Sequence, residues 1–332
     1  MTQLRNRCLV TGAAGHIGNV LVRELISRGI KVRALDRPEY NKHSLEGLDI
    51  DLMLGDILDY QFLRNAIDGC ELVFHVAGKV SVANGMSDIL HNVNVIGTQN
   101  VITACVETGV RRLVYTGSIH AFFEPPLGTT IDETTPLDMH QTCGEYGSSK
   151  AQACAEVLKA AENGLDAVIV CPTGVVGPYD FEPSMLGQLL LDLSRKKLTL
   201  YIDGAYDFVD VRDVARGHIF AAQKGKTGET YILSGECISV RELMEMVRIL
   251  TGVHAPRAKV PYFVAWIASL FTPLYYRMKK VEPRFSRYSL HTLRSNSCVT
   301  SQKAQQELGY APRPVRQAVN DALTWFKANN VI

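Results

Sequence analysis

The chain has 332 residues, with 35 Lys+Arg against 34 Asp+Glu and 46% hydrophobic positions. At about 150 residues per domain this is chain for two domains, and apolar enough to bury a large core. A net charge of +1, with no long basic run, excludes the electrostatic footprint of a nucleic-acid binder.

Taken in order, the first half alternates short β-branched runs with amphipathic segments, the pattern of βαβ units around a parallel sheet. Strands are predicted at Cys8–Thr11, Val32–Asp36, Asp51–Leu54, Leu72–Val76, Leu113–Thr116 and Ala167–Cys171. Helices are predicted between them at Ile17–Arg28, Tyr60–Ile67, Asn92–Thr108 and Tyr146–Glu162, several closed by the glycine that helix C-termini favour, as at Gly29, Gly109 and Gly164. The expected fold class is α/β, a Rossmann doubly wound parallel sheet over residues 1–172. After Pro172 the regularity breaks at Gly177-Pro178 and Glu182-Pro183. Helices follow near Leu186–Arg195, Val240–Thr251 and Arg316–Lys327, with a strand at Thr230–Leu233. Residues 173–207 and 236–332 are read as a smaller C-terminal substrate-binding cap over the strand ends, with 208–235 returning to the sheet domain. Asp213 is read as the cap of a helix leading into Gly217–Gln223.

The 8 cysteines show no CxxC or zinc spacing, and no secretory leader is expected ahead of the first strand. A reducing, cytoplasmic compartment is expected, with no metal. The longest apolar stretch, Tyr262–Phe271, lies between Pro261 and Pro273 and falls short of the ~18 to 20 residues of a membrane span. Its aromatic residues read equally as core or as a lid over a hydrophobic ligand, with attachment to a membrane surface less favoured.

Thr11-Gly12-Ala13-Ala14-Gly15-His16-Ile17-Gly18 follows a predicted strand and opens a predicted helix, the setting a pyrophosphate needs. Gly12 permits the tight turn, Gly15 the close approach of backbone, and Gly18 the packing of helix on sheet, with His16 and Ile17 at the helix start. Asp36, at the end of the second strand, is placed to bind an adenosine ribose hydroxyl and repel a 2′-phosphate. This favours NAD, although Arg37 could accommodate NADP. Asp56, with Ile57, meets the adenine amino group or else caps the helix beginning near Asp59. Val76-Ala77-Gly78 ends the fourth strand where the cofactor would cross.

Tyr146 and Lys150 stand at i and i+4 on one helix face. A phenol with a pKa of ~10 is a poor base unless a neighbouring ammonium and the nicotinamide cation stabilise its phenolate. Ser118, at the end of the fifth strand, can present its hydroxyl to the same substrate oxygen. Among histidines without metal spacing (His75, His91, His120, His140), His120 is the candidate for the substrate pocket.

These motifs together resemble the extended short-chain dehydrogenases/reductases, the NAD-dependent epimerase/dehydratase superfamily. The chain is most similar to the 3β-hydroxysteroid dehydrogenase and dihydroflavonol-4-reductase-like group. The resemblance runs through the glycine loop, Gly55-Asp56-Ile57-Leu58-Asp59, Asn94-Val95-Ile96-Gly97-Thr98, Tyr115-Thr116-Gly117-Ser118, Tyr146 to Lys150, and Pro172-Thr173-Gly174-Val175. In the last half it continues through Pro283 to Tyr288 and Lys303 to Tyr310. It implies Ser118, Tyr146, Lys150 and Asn94 as the catalytic set, Asn94 kinking its helix and ordering a water relay to Lys150. It also implies Pro172 and Val175 at the cofactor, Thr173 at the substrate, and a homodimer. Gly117 departs from the second serine common in the steroid group.

Sugar dehydratases place an acid after the catalytic hydroxyl, where this chain has Ile119 and His120. Epimerases place Asn at Gly174 and Arg at Tyr206, both serving a diphosphate. The leading reading is therefore hydride transfer between a nicotinamide and a hydrophobic or sterol-like secondary alcohol or ketone. The alternatives are a nucleotide-sugar epimerase, a dihydroflavonol-type ketone reductase, and a non-catalytic NAD-binding scaffold.

Overall fold

The structure, a computed structural model, describes residues 7–331 apart from 40–41, 82–84, 140–141, 143, 199, 255–257, 280–286 and 296. At residues 42, 271–279, 287 and 288 it describes the backbone alone.

Among the described residues, six strands come from the first 172: β1 (Cys8–Thr11), β2 (Val32–Asp36), β3 (Asp51–Leu54), β4 (Leu72–His75), β5 (Arg112–Thr116) and β6 (Ala167–Pro172). Six more follow: β7 (Gly174–Val176), β8 (Leu200–Tyr201), β9 (Ala205–Asp210), β10 (Thr230–Leu233), β11 (Glu236–Ser239) and β12 (Ala258–Lys259). The main sheet is parallel, in the order β10-β6-β5-β4-β1-β2-β3. A parallel sheet is covered on both faces, so its central strands must be apolar throughout, and β1, β4 and β6 bury every residue. Alternation then sorts the side chains. Leu9, Val73, Leu113, Tyr115 and Ile169 pack with Leu63, Val101 and Val157 of the helices on one face. Val10, Phe74, Val114 and Val170 pack with Leu21, Leu25 and Ile219 on the other. A third core, including Val176, Leu190, Phe208, Leu243, Val319 and Phe326, holds the C-terminal elements together. Burying each such large side chain contributes about 1.5–3 kcal/mol.

Strand order reverses between β1 and β4, whose ends Thr11 and His75 lie side by side, and this reversal opens the crevice where such sheets bind ligands. Several expectations need correction. The segment expected as one helix over Asn92–Thr108 begins as a π-helical turn, His91–Ile96, before Gly97–Thr108. Asp213 does not cap its helix: Asp210 does, accepting from Arg212 N, and Asp213 instead pairs with Arg313 at 2.7 Å. The helix Tyr262–Lys279 continues through Pro273, which removes one hydrogen bond without ending it.

Over Tyr262–Leu270, where its side chains are described, that helix does not pack as core. It buries the small Ala265 and Ser269 and leaves Phe263, Val264, Trp266, Ile267 and Leu270 exposed, Phe263 by 68%. Of the motif Pro283 to Tyr288, positions 283–286 lie outside the described residues, as does His140. No helix among the described residues is long and apolar enough to cross a membrane.

Candidate active site

The glycine loop turns between β1 and the helix His16–Ser27. Gly12 has φ +65°, and a Cβ there would lie 2.7 Å from Ala77 Cα, so only glycine fits between the two strand ends. A Cβ on Gly18 would collide with the Gly12 carbonyl. Gly15 is the N-cap and has no side-chain cap bond, so the amides at the start of that helix meet no capping side chain. Asp36 is buried at the end of β2, accepting from Ala14 N at 2.7 Å and from Arg37 N at 2.8 Å, which orients its carboxylate on the glycine loop. Burial raises its pKa against those two bonds. The Arg37 side chain is exposed. The His16 ring turns away to the C-terminal half, bonding to the Pro178 carbonyl at 3.1 Å. This cradle of amides, with a buried acid beyond it, fits a dinucleotide.

Asp56 accepts from Leu58 N, and the helix Tyr60–Ile67 is capped by Asp59, so Asp56 is not the cap. Ile57 is buried, with its Cδ1 over Gly97. Val76 and Ala77 are partly buried and Gly78 is exposed. A Cβ on Gly78 would stand 3.4 Å from Lys150 Nζ and 3.3 Å from Asn94 Oδ1, so its absence keeps an approach to both groups open.

Asn94 sits in the π-helical turn and holds the chain after β4. Its Oδ1 accepts from Lys79 N at 2.8 Å, and its Nδ2 donates to Lys79 O and Ser149 Oγ. Its side chain thus clamps the Gly78 turn. Lys150, fully buried, donates to Thr116 O at 2.7 Å and to Tyr115 Oη at 3.1 Å. Burial pulls its pKa down to about 8. Tyr146 is hydrogen-bonded to Ser118, and burial pushes its phenol up to about 12. At neutral pH it is a protonated acid. Ser118 Oγ also accepts from His120 N at 3.2 Å.

Three groups that sequence reasoning left unused complete this centre: His75, Thr98 and Tyr115. The Thr98 hydroxyl donates to Asn94 O at 2.6 Å, so His75 Nε2, 3.0 Å away, must donate to Thr98. Its Nδ1 then accepts from the Thr11 hydroxyl at 2.8 Å, and Thr11 Oγ1 accepts from Ala77 N. Burial pushes His75 down to about 3, so the ring is neutral and its tautomer is set by these partners. The signal was present in the sequence: a histidine inside a buried strand needs two partners, and threonines stand in β1 and four residues after Asn94.

On the substrate side, a cavity of ≈ 40 Å³ is lined by residues that include Ile119, His120, Phe122, Thr173, Tyr206 and Asp207. The His120 ring meets the Tyr146 ring edge-on at 6.1 Å. Its Nε2 lies 2.8 Å from the Tyr206 hydroxyl, and burial lowers its pKa to about 4. The Thr173 hydroxyl donates to Asp207 Oδ1 at 2.6 Å, and Gly235 N donates to the same oxygen. Burial raises Asp207 to about 6. Pro172 ends β6, buried, and Val175 lies partly buried in β7.

The NAD dependent epimerase/dehydratase family matches residues 8–234, from β1 past β10. The chain belongs to this family.

Like other members of this epimerase/dehydratase family it is an extended short-chain dehydrogenase/reductase, and its cofactor is NAD. It is 36% identical over 326 residues to sterol demethylase protein B of Methylococcus capsulatus, covering 98% of this chain and 99% of that one. It is 34% identical over 331 residues to a putative dihydroflavonol 4-reductase of Synechocystis, covering 97% and 95%. The crystal structure of gox2253 superimposes with a TM-score of 0.86 at 37% identity, covering 98% and 99%. Against the steroid group, the missing serine at Gly117 has a packing reason. A Cβ there would lie 2.6 Å from Cys171 Sγ and 3.1 Å from Cys154 Sγ, two buried thiols that fill the space.

Proposed function

We propose that the protein is an NAD(H)-dependent dehydrogenase or ketone reductase that acts on an uncharged, hydrophobic secondary alcohol or ketone with a sterol-like skeleton. The observation that carries this reading is the make-up of the cavity beside Tyr146. Its walls include Ile119, Phe122, Phe123, Ile131 and Val299, its acidic members are Glu124 and Asp207, and among the described residues none that line it is Lys or Arg. Two carboxylates repel a diphosphate and tolerate a neutral skeleton. The likeness to a protein named for sterol demethylation supports the same substrate class.

NAD, when bound, accepts the hydride in oxidation and supplies it in reduction. For reduction, the protonated Tyr146 delivers its phenolic proton to the substrate oxygen while Ser118 donates a hydrogen bond to that oxygen. For oxidation Tyr146 must first lose its own proton, and its phenolate would then take the proton of the substrate hydroxyl. Lys150, held by Tyr115 and Thr116, keeps a positive charge near the site and faces the gap at Gly78, where ribose hydroxyls would bind. Asp36 takes the adenosine ribose. The test is NADH absorbance over sterols, bile acids, flavanols and nucleotide sugars, with turnover expected on uncharged cyclic alcohols or ketones. Turnover confined to nucleotide sugars overturns the reading in favour of an epimerase.

A further inference from the structure

Over Tyr262–Leu270 the helix Tyr262–Lys279 meets the rest of the molecule along a narrow stripe. Ala265 and Ser269, one turn apart, are buried, whereas Phe263, Trp266, Ile267 and Leu270 are exposed. At about 100° per residue those four large side chains fall within one arc of about 100°, turned away from the Ala265 and Ser269 stripe. A surface helix of a globular protein turns its large apolar residues inward, and this one does the reverse.

The charge around that arc has one sign. From Val260 to Thr300 the sequence holds six Lys or Arg (Arg277, Lys279, Lys280, Arg284, Arg287 and Arg294) against a single acid, Glu282, in a chain whose total charge is +1. Arg277 and Lys279 stand in the last turn of the helix, and Arg287 opens the short helix Arg287–Thr292 that packs against it. Arg294 places its guanidinium 4.1 Å from the centre of the Tyr262 ring. Close behind it in sequence, Ser295, Ser297 and Val299 line the cavity beside Tyr146, so the foot of the helix adjoins one wall of that cavity.

We propose that this face of the helix Tyr262–Lys279 docks on an anionic lipid surface, with Phe263, Trp266, Ile267 and Leu270 entering the boundary between headgroups and acyl chains and the basic residues meeting lipid phosphates. Apolar side chains on an interfacial helix gain by leaving water, and Lys and Arg beside them gain from the negative surface potential. A second copy of the chain fits this face less well. A two-fold contact sets a patch against itself, so the surplus of positive charge would meet its own image, whereas an anionic bilayer neutralises it. The contact is peripheral, since no helix among the described residues is long and apolar enough to cross a membrane. It goes beyond the alcohol/ketone reading and does not depend on it.

The test uses the full-length protein loaded with NAD, and vesicles of phosphatidylcholine alone or of phosphatidylcholine and phosphatidylglycerol in equal parts. The wild type should float with the anionic vesicles at low salt, bind at least about tenfold more weakly to phosphatidylcholine alone, and weaken again at high salt. The double variant Phe263→Asp/Ile267→Asp should lose at least about tenfold in affinity for anionic vesicles, while its NADH affinity stays within about twofold. If that variant does not fold, Trp266→Phe gives a second measurement, because brominated lipid quenches a tryptophan that has entered the bilayer. The chain has two tryptophans, and the other, Trp325, packs against Phe181 and Phe326. Brominated anionic vesicles should quench the wild type and leave Trp266→Phe nearly unquenched. A wild type that floats with neither vesicle or equally with both overturns the proposal, as does a folded double variant that binds like the wild type. Unquenched wild-type fluorescence, or equal quenching of Trp266→Phe, overturns it too. A wild type that stays off vesicles as a dimer, and that the double variant turns into a monomer, gives the face to a second copy of this chain instead. Failure to turn over any uncharged alcohol or ketone defeats the alcohol/ketone reading alone, because flotation and quenching need no catalysis.

Discussion

On the cofactor side of the crevice the groups come largely from backbone at strand ends within residues 12–78: the amides that open the helix His16–Ser27, Asp36 bound to Ala14 N, and the Gly78 turn. On the substrate side they come from five stretches of chain, at Ile119 to Glu124, Ile131, Thr173, Tyr206 with Asp207, and Ser295, Ser297 and Val299, brought together only by folding. Backbone geometry tolerates change in almost any side chain that is not glycine. A wall of packed side chains responds to each one. The first region can therefore serve a whole family with a common cofactor, while the second decides the substrate.

Between the two stands Tyr146, and its replacement is the largest expected effect. Tyr146→Phe should lower kcat by about 10³-fold, within the range of general acid catalysis, while leaving NADH affinity within about twofold. Stopped-flow and equilibrium binding check the two halves of that statement, and retained turnover breaks the assignment.

His75 belongs wholly to the framework behind the cofactor side, so its signature should be stability with pH. Its folded pKa of about 3 lies below the unfolded value near 6.5. The unfolded chain then binds the extra proton as pH falls below 6.5, and stability is lost toward acid. Between pH 7 and 5 this one group costs about 2 kcal/mol. Denaturant unfolding at both pH values should show a smaller drop for His75→Gln than for the wild type; equal slopes remove the buried neutral ring from the account.

Asp36→Asn sharpens the comparison from the cofactor side. NAD affinity should fall about tenfold and discrimination against NADP should relax by a similar factor, with substrate preference unchanged. A shift in substrate preference would show that the two regions are coupled.

The smallest effect is expected at Tyr115, whose hydroxyl accepts from Lys150 Nζ. In Tyr115→Phe the buried ammonium loses a partner, so its pKa should fall further below about 8. The alkaline limb of the kcat profile should move to lower pH, with a few-fold loss at pH 9 and little change at pH 7. An unmoved limb means that Lys150 does not govern it.

Much of the sheet was legible because its strands are short, apolar and punctuated by glycine: Cys8–Thr11, Val32–Asp36 and Asp51–Leu54 form as expected. The boundaries that slipped did so where a side chain overrode the local pattern. Asn94 and the Thr98 hydroxyl divert backbone bonding into a π-helical turn. Asp210 supplies the cap expected of Asp213 because Arg313, a hundred positions away in sequence, draws Asp213 aside. Tyr262–Phe271 carries no periodic signal that distinguishes an inward face from an outward one, and only packing put Ala265 and Ser269 inside.

The sequence by itself determined the cofactor and pointed to the proposed reacting pair, because a glycine turn at a strand end and an i, i+4 phenol and ammonium are local geometry, set within one turn of chain. Only the tertiary structure decided what surrounds them: His75 joining Thr11 to Thr98, Tyr115 holding Lys150, and Tyr206 filling the space over Gly174. Those contacts link residues from 23 to 64 positions apart, and their meaning depends on burial, which no local spacing records.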